Sequence, residues 1–112
     1  AAVFGTLSRA SEFGISAAQN LRSTITQLGV RGLEVHHIVE KRFARTLGLD
    51  ARWIPGVALT PEEHQVFTNA WRVAVPYGTS RGVTVPQVWE AAQWVYREYP
   101  ALLEAARQVL FH

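Results

Sequence analysis

The residues best equipped for chemistry in this chain are three histidines: His36 and His37 side by side, and His64 further along, with Glu34 two positions before the pair. Imidazole titrates near neutral pH, so its neutral form can take a proton from water, and the same neutral ring ligates divalent metals. Residues 33–39 (Leu-Glu-Val-His-His-Ile-Val) are rich in β-branched and apolar types and predict a short strand. Alternation along a strand sends neighbouring side chains to opposite faces, so one of the two histidines must turn toward the core. An imidazole buried without partners is costly. A metal ion or a phosphate would supply those partners; the alternative is a structural histidine.

His64 belongs to the most sharply punctuated element. Thr60-Pro61-Glu62-Glu63 reads as a capping box: Thr60 accepts from the third helical amide, Glu63 reaches back, and Pro61 fills the first helical position. Val66, Phe67, Ala70, Trp71 and Ala74 then form one apolar stripe, which predicts a helix to about residue 74. His64 falls at an edge of that stripe, with Thr68 one turn on and Arg72 a further turn on. Asn69 points about 140° away from His64, so Thr68 is the better placed second ligand on this helix. The alternative is a cap-proximal histidine beside a solvated polar column.

Lys41, Arg42 and Arg45 follow the histidine pair, and Arg52 and Arg72 flank it. Such a patch could grip phosphate; with Glu40 and Asp50 interspersed, it could equally be solvated charge. Ten of the eleven basic residues are arginine, a side chain suited to bidentate phosphate or carboxylate contacts. A net charge of +2 permits a nucleic-acid partner without establishing one.

Other elements must hold these groups in place. Ala18, Leu21, Ile25 and Leu28, preceded by Phe13 and Ile15, predict a helix over residues 11–28, weakened at its start by Gly14 and stopped at Gly29. Residues 41–49 suit a helical turn or two ending at Gly48. Residues 53–59 predict a second short strand, interrupted by a Pro55-Gly56 turn. Thr84, with Gln87 three residues on, opens a helix whose stripe is Val88, Trp89, Ala92, Val95, Tyr96 and Tyr99. Pro100 starts a last helix with Leu102, Leu103, Ala106, Val109 and Leu110 inside. Trp71, Trp89 and Trp94 adjoin apolar stripes and read as core, not as base-stacking platforms. Two short strands cannot make a substantial sheet, so the expected fold is α+β, mainly helical, around a small hairpin.

The 112 residues suffice for one compact domain, 1–112. No apolar run approaches the ~20 residues that span a bilayer, which predicts no membrane partner, and no secretory signal is evident. Zero cysteines exclude disulfides, thiolate zinc sites and thiol catalysis. The absence of methionine predicts that the chain is a piece of a longer polypeptide.

Glu34-Val35-His36-His37, followed by a strand and a capped helix bearing His64, resembles the ββα-metal (His-Me finger, or HNH) nucleases. The likeness is to the C-terminal toxin domains of bacterial polymorphic toxins and to the colicin DNases with their Glu-Leu-His-His. It covers residues 31–74, and the stretch from Leu59 to Arg72 looks like the helix of these toxins. The resemblance implies a ββα-metal finger embedded in flanking helices. His36 and His64 would be metal ligands, joined by the Thr68 hydroxyl; His37 would be the general base. Glu34 would be a supporting residue that orients Arg31 or the histidines. Lys41, Arg42, Arg45 and Arg72 would contact nucleic acid.

Two departures thin the metal shell. Colicin-type nucleases place a histidine where Thr68 stands, and many HNH proteins carry an asparagine where Arg52, Trp53 and Ile54 are found. The implied cofactor is a divalent cation, with Mg, Mn, Zn and Ni not distinguished. The implied activity is phosphodiester hydrolysis, on DNA in preference to RNA. The implied setting is a toxin secreted or delivered by a bacterium into a target-cell cytoplasm, with an acidic immunity protein as partner. A non-catalytic helical interaction module is the competing expectation.

Overall fold

The computed structural model describes residues 3–111. Its fold is α+β and mostly helical, with one three-stranded antiparallel sheet in the order β1-β3-β2. The strands are β1 (Ser16–Ala17), β2 (Glu34–His37) and β3 (Pro55–Leu59). The helices are α1 (Ala10–Phe13), α2 (Ala18–Gln27), α3 (Ala44–Leu47), α4 (Pro61–Ala74), α5 (Val85–Val95) and α6 (Pro100–Leu110). No helix among the described residues is long and apolar enough to cross a membrane.

The central strand explains the layering. In β3 the run Gly56, Val57, Ala58, Leu59 is buried on both faces. Ala58 packs with Leu21 and Ile25 of α2, whereas Val57 and Leu59 join the main core with Phe67, Trp71, Val88, Tyr96 and Leu102. The sheet is therefore one layer between α2 and the bundle of α4, α5 and α6. β2 is an edge strand, paired to β3 on one side, with His36 opposite Val57 and His37 opposite Gly56.

Several sequence expectations need correction. The helix expected over residues 11–28 is two helices, because Gly14 takes φ 67° and lets the chain turn through β1 before α2 begins. Leu28, assigned to its apolar stripe, is exposed. That detour also adds a third strand to the two expected. Pro55-Gly56 is not a turn but the start of β3. Pro55 lacks an N–H, yet its carbonyl accepts from the Ile38 amide. Gly56 is required by close approach: a Cβ there would lie 2.8 Å from Val35 Cγ1 and 3.3 Å from the Ala18 backbone.

The punctuated helices match their signals. Both capping boxes form, Thr60 with Glu63 and Thr84 with Gln87, each satisfying two otherwise orphaned amides. α4 ends at Ala74 and α6 starts at Pro100, as expected. Within these helices two assignments fail. Val66 is 62% exposed and Trp94 44% exposed, so neither lies in the core, while Trp71 is fully buried and Trp89 is half-buried.

Candidate active site

β2 ends at His37, so the histidine pair occupies the last two positions of an edge strand. His36 shares its face with its cross-strand partner Val57 and turns into the main core, where it is 2% exposed. Its ring stacks on Phe67 of α4 at a centroid distance of 5.3 Å and its Nε2 lies 2.8 Å from the Tyr96 hydroxyl. His37 is half-buried on the opposite face, the one that α2 covers. Because the strand is an edge and stops there, one cleft of about 510 Å³ reaches both rings.

The same cleft is lined by His64, Arg22 of α2, Glu40, Lys41, Arg42, Tyr77 and Ser80. His64 sits in the first turn of α4, which packs against β2. Its ring centroid is 5.3 Å from that of His36, with the planes at 70°. Its Nδ1 lies 2.7 Å from Glu34 Oε1. A carboxylate oxygen only accepts, so Nδ1 carries the proton and the neutral ring keeps a lone pair at Nε2.

The electrostatics of the cleft disfavour extra positive charge. Burial pushes His36 down to about 3, with the neighbouring His64 and His37 acting in the same direction. His37 is lowered by burial first, then by Arg22 and Lys41, while a backbone hydrogen bond at Ala51 opposes the shift. Both rings therefore favour their neutral forms. Glu40 is raised by burial, with Arg42 working against the shift.

The other expected site residues separate into those at the cleft and those away from it. Lys41 is exposed on the cleft wall. Arg42 also borders it, but its guanidinium is committed to the fold. It donates to Glu40, to the Ser80 hydroxyl and to the Trp71 and Val75 carbonyls, and it lies over the Phe43 and Tyr77 rings. This staples the turn after β2 to the C-terminal end of α4, where backbone carbonyls need donors. Arg45 is exposed on α3 and Thr68 is half-buried on α4; neither lines the cleft. Arg72 also lies over the Tyr77 ring, outside the lining. Glu34 contacts His64 and makes no hydrogen bond to Arg31.

Three residues were missed from sequence. Arg22 sits on the polar side of α2, where nothing local distinguishes it from a solvated arginine. Glu40 reads as charge dilution. Tyr96 was assigned to an apolar stripe, although a buried tyrosine needs a partner for its hydroxyl, and that need was the available signal.

Among the described residues no three histidine, aspartate or glutamate side chains converge as a ready-made metal cage. The available nitrogen donors are His36 and His64. Two rings at 5.3 Å can share one cation held about 2.0–2.1 Å from each nitrogen. Thr68 does not extend this donor set, so water and substrate oxygens would complete it. No family model matches the chain, and no curated protein or solved structure matches it either.

Proposed function

We propose that this chain is a metal-dependent endonuclease of the HNH type, hydrolysing phosphodiester bonds in DNA and acting as an antibacterial toxin domain. The observation that carries the reading is the meeting of three imidazoles. His36 from an edge strand and His64 from a capped helix lie with rings 5.3 Å apart, and the neutral-favouring His37 opens on the same cleft. The β2–β3 pair followed by α4 also supports a ββα-metal finger.

His36 and His64 would hold a divalent cation, which would neutralise the scissile phosphate and stabilise the leaving oxygen. His37 takes the proton of the attacking water at a ring nitrogen that opens on the cleft, and its lowered basicity favours the neutral ring. Glu34 holds the His64 ring through Nδ1. Arg22 and Lys41 draw the phosphate backbone toward the cleft. A toxin of this kind acts in a target-cell cytoplasm after delivery from a producing bacterium. The producer needs an immunity protein, and an acidic one complements the cationic wall.

The test is plasmid nicking with Mg²⁺, Mn²⁺, Zn²⁺ or Ni²⁺, with and without EDTA, on matched DNA and RNA. Cation-dependent cleavage of DNA should fall about 10²- to 10⁴-fold in His37→Ala, with the fold intact by circular dichroism. Cleavage of RNA alone would change the substrate. Full activity in His37→Ala would remove the general-base role from His37, and no cleavage of either substrate would leave a non-catalytic helical interaction module.

A further inference from the structure

Tyr96 caps the C-terminal end of α5, outside the elements that carry the histidines, and its hydroxyl is fully buried at the meeting point of three polar groups. The oxygen is 2.8 Å from His36 Nε2 and 3.1 Å from Trp71 Nε1, and it makes a short contact with the Ile38 carbonyl oxygen. Two oxygens this close need a hydrogen between them, and a carbonyl has none, so Tyr96 donates its single proton to Ile38. An indole nitrogen can only donate, so Trp71 fills one of the lone pairs on Tyr96. The remaining lone pair faces His36, whose Nε2 must therefore carry the hydrogen.

The other ring nitrogen follows. His36 Nδ1 has no hydrogen-bond partner among the described residues, and no fully buried side-chain nitrogen or oxygen there lacks one. Nδ1 therefore retains contact with the cleft that His36 lines. We propose that the Tyr96 hydroxyl holds His36 in its Nε2–H tautomer, so that Nδ1 is the nitrogen offered to a divalent cation, with Tyr96 as a positioning residue. Glu34 does the converse for His64, accepting from Nδ1–H and leaving the lone pair at Nε2. The two rings are fixed in opposite tautomers by partners from different elements. Acceptors behind ligating imidazoles commonly set ring orientation and basicity in this way.

This inference rests on the nuclease reading for its cation, and its test does not use cleavage. Long-range proton–nitrogen correlation spectra of ¹⁵N-histidine-labelled protein at neutral pH, in EDTA, report each ring nitrogen separately. For His36 the expected result is a pyrrole-type shift at Nε2 and a pyridine-type shift at Nδ1; the reverse overturns the proposal without any variant. Adding Zn²⁺ alone should move His36 Nδ1 and His64 Nε2. Tyr96→Phe should lose the fixed tautomer of His36 and weaken Zn²⁺ binding, by calorimetry, about tenfold to a hundredfold. Trp71→Phe removes the other donor to the same hydroxyl and should preserve the tautomer. Unchanged Zn²⁺ affinity in folded Tyr96→Phe would overturn the positioning role. If wild type shows the tautomer and the Zn²⁺ shifts but cuts no nucleic acid, the nuclease reading fails and the positioning role stands.

Discussion

Glu34 Oε1 lies 2.7 Å from His64 Nδ1, so the first residue of the edge strand holds the ring carried by the first turn of α4. Both side chains are substantially open to solvent, and an exposed pair of this kind contributes little to stability. Its value is orientation. Glu34→Ala should weaken Zn²⁺ binding about 10- to 100-fold while shifting the urea-derived stability by no more than ~1 kcal/mol. Calorimetry and denaturation on the same sample check this; a large loss of stability with unchanged affinity would refute it.

Stability of the metal-free protein should fall on acidification. His36 has a folded pKa of about 3 against an ordinary value of 6.5, so the unfolded chain binds the extra proton between those limits. Its contribution is complete above pH 6.5 and is lost progressively toward pH 3, at a limiting slope of about 1.4 kcal/mol per pH unit. His37, also lowered, acts in the same direction. Glu40, raised by burial, acts oppositely, and Glu40→Gln should steepen the decline. Urea midpoints in EDTA from pH 7 to pH 4 measure the slope. A midpoint that rises on acidification would contradict the burial of a neutral His36.

The helix boundaries were legible because their signals are local. Thr60 with Glu63, Thr84 with Gln87, and Pro100 each act within one turn of chain, and each forms as read. The Gly56 position was not, since its reason is the approach of Val35 and Ala18 from other elements. The three histidines could be picked out by type, but the sequence holds no record that β2 is an edge strand, and that placement lets both faces of the pair share a cleft. Tyr96 and Arg22 reach the site only through packing of α5 and α2, a relation no spacing encodes.

Arg22 and Arg42 should separate binding from folding. Arg22 is exposed on the cleft and is among the charges that lower His37. Arg22→Ala should leave the fold intact, weaken DNA binding, and reduce the salt slope of log K by about 1. Fluorescence anisotropy across a salt series reads this directly. An unchanged slope would remove Arg22 from the phosphate contacts.

Arg42→Ala should instead destabilise the protein by about 2–4 kcal/mol. It strands the half-buried Glu40 carboxylate and two carbonyls at the end of α4. Thermal and chemical denaturation check this. A variant as stable as wild type but defective only in DNA binding would assign Arg42 to the substrate.

The polar floor beneath His36 is supplied by Tyr96, a residue beyond the helix that bears His64. A fragment trimmed to the strand pair and α4 would keep all three imidazoles and still lose the group that decides which nitrogen of His36 holds hydrogen. The end of α5 is thus part of the working unit, and the excised fragment should prove a poorer ligand for cations than its histidine count suggests.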